Sequence, residues 1–442
     1  MAERPCAAVA RDRRPGWLRF FALAALVLAL AGGGAAPGAW GQDASREATS
    51  NDPELLFWQS IMNSKSAGDY QAYLSTYPNG KFAVLAKARL SALDGAPPAA
   101  GDQSSPRPGV AGGSGVFLEG VAAYKRGDYG DAIKAWRTAA QAGSPPAMVL
   151  IGDLYYYGRG VPKDYGAAMQ WFQQAADKGN AKGEYMMGEL YYSGRGVTQD
   201  FTRAAQWYRK AADKGNASAR AYLGELYEQG KGIPQDYGEA MRWYRKGAEE
   251  QNAYAMRGVA RLYANGDGVP QDYAQAAQWY RKAVDEGSPI AQYNLGVSYD
   301  NGRGVAQDYT QAMQWYRKAA DQGNANAQSN IGALYADGQG VAQDYAQAMQ
   351  WYRKAADQGN ANAQSNIGAL YASGRGVTKN YAQAMQWLRK AADQGNAHAQ
   401  ADIGALYENG WGVTKDYAEA RRWYQKAADQ GDADAKRWLT AH

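Results

Sequence analysis

Histidine and cysteine are nearly missing from this chain of 442 residues, which has only His398, His442 and Cys6. A histidine general base needs partners, and a clustered metal site needs several imidazoles or thiolates, so both chemistries have almost nothing to work with. Cys6 precedes an apolar N-terminal run, and its loss with that run would leave no thiol for a disulfide or a lipid anchor. A Gly-x-Ser-x-Gly elbow is also lacking. Among enzymatic options only a carboxylate-pair hydrolase is left, and the acids recur as helix caps and scattered charges. The expectation is a protein that is not an enzyme and needs no cofactor or metal.

An excess of one charge is lacking too. The chain has 48 Lys and Arg against 43 Asp and Glu, and residues 1–41 hold five of the arginines and two of the acids. Removing them leaves 43 basic and 41 acidic side chains, without the concentrated positive stripe that nucleic acid requires. One long apolar run exists, Phe20 to Ala31, preceded by Arg4, Arg11, Arg13 and Arg14 and followed by small residues to Ala39-Trp40-Gly41. This is the three-part form of a secretory signal, read as residues 1–41 with cleavage near Gln42. The run is shorter than the ~20 residues that span a bilayer, so no stable membrane span is expected after cleavage. A periplasmic or secreted bacterial location follows.

What the chain has in abundance is periodic. Trp171, Trp207, Trp243, Trp279, Trp315, Trp351, Trp387 and Trp423 stand 36 residues apart, and Gln311 to Ala336 recurs letter for letter at Gln347 to Ala372. Fixed self-similarity of this length marks a solenoid. Counted from Ala147, eight full units run through residues 147–434. In the unit from Ala291, Ala291, Leu295 and Tyr299 share one face of a first helix. A second helix starts after Asp308, a favourable N-cap, and ends at Gly323. Gly-x-Gly-Val, as in Gly158-Arg159-Gly160-Val161, follows a helix rather than a strand and reads as a turn, not a phosphate cradle.

Ala-x-x-x-Leu-Gly-x-x-Tyr, Gly-x-Gly-Val-x-x-Asp-Tyr and Ala-x-x-Trp-Tyr-x-Lys-Ala-Ala-x-x-Gly together resemble the Sel1-like repeat. Departures are Gln251 for the glycine that ends the second helix, Ala260 for the packing glycine and Leu388 for the aromatic after Trp387. The resemblance implies an all-α, right-handed α-solenoid of helix-turn-helix repeats related to tetratricopeptide repeats. Residues 115–146 read as a shortened capping repeat and 435–442 as a C-terminal cap. Residues 95–114, rich in Pro, Gly and Ser, read as a linker after a small helical module at 42–94.

In tetratricopeptide repeats the first helices line the concave binding face. By that resemblance the face here includes Asp153, Tyr156, Tyr157, Tyr185, Glu189, Tyr192, Glu225 and Glu228, whereas Ser329, Ala333, Ser365 and Ala369 occupy it further on. Tyrosines are rich in contact energy, and Asp153, Glu189 and Glu225 would align as an acidic stripe for a basic segment. The resemblance thus implies an exported adaptor or scaffold for proteins or peptides, serving envelope signalling or the assembly of polysaccharide export. The second reading is a glycan-binding envelope protein.

Overall fold

Cap residues set the architecture. The computed structural model describes residues 80–94 and 110–442, with Trp58, Tyr70, Gln71, Tyr73, Leu74 and Tyr77; the expected signal at 1–41 lies outside the described residues. Helix α1 spans Ala83–Asp94, α2 Val110–Arg126 and α3 Tyr129–Gln141. Eight first helices follow, from α4 (Pro145–Tyr157) in repeat 1 to α18 (Ala397–Asn409) in repeat 8, alternating with eight second helices, from α5 (Tyr165–Asp177) to α19 (Tyr417–Asp429). The last helix is α20 (Ala433–Ala441), and among the described residues there is no strand.

Asp164, Asp200, Asp308 and their counterparts, Asn380 among them, sit before the second helices, and their side-chain oxygens accept from a backbone N–H in the first turn. Asn180, Asn216 and Asn324 do the same for the next first helices, and Ser288 caps one that begins with Pro289. Each such bond satisfies a donor that the helix leaves unpaired. First helices end on glycine in the left-handed region, as at Gly302 with φ 65°. Two residues on, Gly304 has φ 73°, and a Cβ there would lie 2.0 Å from the Tyr273 carbonyl oxygen. The Gly-x-Gly-Val loop is therefore a turn that packs onto the preceding repeat, as its place after a helix indicates.

Burial concentrates on small residues and on the side chain after each periodic Trp, a ring in every repeat but the one with Leu388. Tyr208, Tyr244 and Tyr316 are wholly buried, while Trp207 and Trp315 stay half-buried, each with a lysine ammonium about one turn on over its ring, at 4.1 and 4.0 Å. Of the eight periodic tryptophans only Trp243 is buried, so these rings flank the core rather than fill it. A Cβ at Gly296 would come within 2.6 Å of Tyr316 Cδ1, so glycine there lets the two helices of the hairpin close on that ring.

Two periodic clasps hold the helices in register. Between repeats, an arginine on one second helix donates to the hydroxyl of the tyrosine eighteen residues on, in the next first helix: Arg245 to Tyr263 at 2.8 Å, Arg317 to Tyr335 at 2.9 Å, Arg353 to Tyr371 at 3.1 Å. Within a repeat, the fourth residue of the first helix meets the residue after the second helix. That pair is Glu184 with Lys214 at 2.6 Å, Arg220 with Glu250 at 3.6 Å, then Gln292 with Gln322 at 2.9 Å and Gln328 with Gln358 at 2.7 Å. In six of the eight repeats the position is thus filled by an ion pair, its reverse, or two carboxamides, while Met148 and Met256 stand there in repeats 1 and 4.

The chain divides into two compact units, one from Gly41 to Gln271 and one containing Asp272 to His442. In the first, α2 and α3 pair around Trp136, whose indole N–H donates to the Phe117 carbonyl at 3.2 Å. Helix α2 starts at Val110, inside the stretch expected as linker, so that stretch ends five residues earlier than its composition indicates. Gly112 and Gly113 lie within that helix. Upstream, the Trp58 ring stacks on Phe82 at 5.2 Å and Tyr73 is fully buried beside it. In the second unit, α20 lays Trp438 against Tyr424, with ring centroids 4.4 Å apart.

Candidate binding face

The 36-residue offset makes the eight repeats their own alignment. In the first helices, the position of Ile151 is always aliphatic or Met, and that of Tyr155 is always Tyr. Three others change throughout. The position of Val149 becomes Tyr185, Ala221, Arg257, Tyr293 and Ser329; that of Asp153 becomes Glu189, Glu225, Arg261, Val297 and then Ala; that of Tyr156 becomes Tyr192, Glu228, Ala264 and Asp300. Spacings of four and three place these positions on one helix face. A constant frame therefore carries one chemically variable face.

The structure brings the eight expected site residues together but leaves few of them open. Asp153 (7% exposed), Tyr156, Tyr185 (2%), Glu225 (4%) and Glu228 are buried, whereas Tyr157, Glu189 and Tyr192 are half-buried. The expectation of an open tyrosine surface is thereby corrected: most of this ring area is spent inside the stack. Tyr185 packs against Tyr208 and Tyr222 at 5.8 and 6.0 Å, Tyr192 meets Tyr222 edge-on at 5.4 Å, and Tyr222 stacks on Tyr254 at 5.4 Å.

The acids are held by their neighbours. Tyr156 and Tyr208 donate to the two oxygens of Glu189 at 3.3 and 3.4 Å, and Arg195 lies 3.8 Å from the same carboxylate while donating to Tyr156. Gln229 donates to Glu225 at 2.9 Å. Tyr244 and Arg261 Nε each donate to Glu228 at 2.6 Å. Asp153 Oδ2 is buried without a hydrogen bond, and burial raises the Asp153 pKa to about 6 against the pull of Lys182 and Arg159. Burial likewise raises Glu189 to about 6, opposed mainly by Arg195. The stripe is thus a set of buried or half-buried carboxylates, Glu189 and Glu225 held by side chains of their own and the preceding repeat, rather than a free field of charge.

Sequence reasoning missed the arginine-to-tyrosine clasps, although their signal was present: an arginine stands eighteen residues before most of the invariant tyrosines. Where Gln173 replaces it, Tyr191 takes Arg203 over its ring instead, at 5.5 Å. Among the described residues no group of His, Cys, Asp and Glu could hold a metal ion, and no helix is long and apolar enough to cross a membrane.

Comparison with known proteins gives a consistent result. The Sel1 repeat family model matches residues 145–180, 181–216, 217–252, 253–288, 289–324, 325–360, 361–396 and 397–432, eight contiguous copies set two residues ahead of the frame counted from Ala147. The crystal structure of a protective antigen of uropathogenic Escherichia coli, which displays an SLR fold, is 37% identical with a TM-score of 0.57, and the match covers 70% of this chain and 66% of that one. A Sel1 repeat protein from Oxalobacter formigenes is 35% identical with a TM-score of 0.50, covering 55% of this chain and 96% of that one. The search of curated proteins returned no match.

Proposed function

Because the chain belongs to the Sel1 repeat family, we propose that it is an exported, non-catalytic scaffold that binds proteins or peptides on the variable face of its first helices. The observation that carries this reading is the contrast between frame and face. Packing explains why Ile151 and Tyr155 have near-constant counterparts; it does not require the positions of Val149, Asp153 and Tyr156 to differ from repeat to repeat. In the first three repeats the half-buried Tyr157, Glu189 and Tyr192 are the members of the expected set placed to touch a partner, with Asp153, Tyr156, Tyr185, Glu225 and Glu228 supporting them. Export rests on the arginines, apolar run and small residues of 1–41. The finer role is assembly or signalling in the cell envelope.

Site-specific photocrosslinking in intact cells tests the binding face. A photoreactive residue at Tyr157 or Tyr192 is expected to give protein adducts, whereas one at the outward Gln314 of a second helix gives none; adducts from Gln314 alone would reject the assignment. Mass spectrometry of the purified protein should find the N-terminus near Gln42, and an intact chain retaining Met1 would reject export by cleavage.

A further inference from the structure

Three acids, Glu228, Asp300 and Glu408, occupy the position of Tyr156, and the repeats around them satisfy two. Glu228 accepts from Tyr244 and from Arg261, each at 2.6 Å. Glu408 accepts from Tyr424 at 2.9 Å and, on its other oxygen, from the Trp438 indole N–H at 3.0 Å. Asp300, 7% exposed, is the third. Its Oδ2 accepts from Tyr316 at 2.9 Å, as Glu228 does from Tyr244, but its Oδ1 is buried without a hydrogen bond. Burial raises the Asp300 pKa, opposed by the Tyr316 hydroxyl and by no cation.

Elsewhere the following repeat delivers an arginine to this position by one of two routes. Arg261 reaches Glu228 from the Asp153 position of the next first helix, and Arg195 reaches Tyr156 from the middle of the Gly194-Arg195-Gly196 loop. In repeat 6 those two places hold Ala333 and Gln339, and Gln339 donates to Tyr309 at 3.3 Å. Repeat 6 does lie against Asp300's own repeat, since Val297 and Tyr316 share one buried cluster with Ile331 and Leu334. Arg375, one repeat further on, acts on Asp337 and lies over the Tyr345 ring at 5.4 Å. The joint between repeats 5 and 6 therefore has its acid and its phenol but lacks its guanidinium.

We infer that Asp300 is the receptor for an arginine side chain of a partner protein, which supplies from outside the guanidinium that Arg261 and Arg195 supply within the chain. A buried carboxylate without a cation is costly, and a guanidinium meets both of its oxygens with two parallel N–H groups. The approach lies on the variable face. Ala333 and Ala336, half-buried and short, stand where Glu189 and Tyr192 stand in repeat 2. The terminal torsion of a carboxylate is soft, so Oδ1 can turn to meet a guanidinium that enters beside Ala333. Asp337, exposed at the end of the same first helix and sensing the charge of Asp300, adds a second negative charge for the arriving cation.

This inference rests on the protein-binding reading, and its test is separable from the crosslinking above. The probe is an array of nonapeptides with one fixed central residue and degenerate flanks, incubated with the labelled full-length exported protein. Wild type is expected to bind arginine-centred spots at least fivefold more strongly than citrulline-centred ones, which keep the shape and lose the charge. Asp300→Asn removes the receptor, and Gln339→Arg restores the loop arginine of repeats 2, 5 and 7 and fills the joint from within. Each should bring the arginine signal down to the citrulline level, and Q339R alone decides if D300N misfolds. D321N and Q314R make the same changes of charge on exposed second-helix positions and should keep the preference. No preference in wild type, a preference retained in Q339R and in folded D300N, or an equal loss in D321N and Q314R would each overturn the Asp300 receptor; adducts at Tyr157 or Tyr192 would still uphold the scaffold.

Discussion

At the scale of single residues the structure isolates positions where the frame is strained or electrically costly. Gln251 has φ 58° and is the one non-glycine residue with positive φ among the described residues; its counterparts Gly287 and Gly323 have φ 83° and 86° with open space around the site of a Cβ. The left-handed region costs a side-chain-bearing residue roughly 1–2 kcal/mol, part of which glycine's freedom in the unfolded chain gives back. Gln251→Gly should therefore stabilise the protein by about 0.5–1 kcal/mol, read from urea unfolding followed by Trp fluorescence. Asp153 has the opposite kind of burden. Its folded pKa of about 6 exceeds the ordinary carboxylate value, so the native state binds the proton more tightly. That contribution is fully present below about pH 4 and is lost as pH rises through 6. Asp153→Asn should flatten the fall in stability between pH 4.5 and 7.5 by roughly 2–3 kcal/mol, from ~1.4 kcal/mol per pKa unit. An unaltered pH profile in this variant would refute the account. The sequence disclosed the glycine replacement at 251 because seven sister repeats end on Gly; it did not disclose Asp153's burial or the nearby charge of Lys182 from the next repeat, which only the stacking brings about.

At the scale of elements, what was legible is what repeats locally. Caps, helix lengths and turns follow from Asp308, Asn324, Gly302 and their counterparts, because each acts through its own backbone neighbours. Which face stays free was not legible, since Tyr156 is covered through contacts with Glu189 and Arg195, 33 and 39 residues away. The polymorphic clasp within repeats gives an element-level test. Lys214→Gln alone leaves the buried Glu184 carboxylate without its cation and should cost about 3 kcal/mol. Converting both to the pair found at Gln328 and Gln358, E184Q/K214Q, should return stability to within about 1 kcal/mol of wild type, as a double-mutant cycle on urea unfolding would register. A double variant as unstable as the single one would show that the pairs are not interchangeable.

At the scale of the whole molecule, stability accrues by stacking. No repeat can cover its own apolar face, so residues 325–360 expressed alone should be unfolded by circular dichroism, whereas series of three, four and five repeats should melt at successively higher temperatures. An independently folded single repeat would contradict this. The clasps Arg317 to Tyr335 and Arg353 to Tyr371 are chemically the same joint, set in stretches that are identical from Gln311 to Ala336 and from Gln347 to Ala372. Deleting 311–346 would fuse Thr310 to Gln347 and restore the same joint. A repeat can therefore be removed or added as a whole 36-residue unit while the same joint is kept. Length is then a copy number, changeable in whole units like the tract length of a microsatellite, while the chemistry of the face changes by single substitutions.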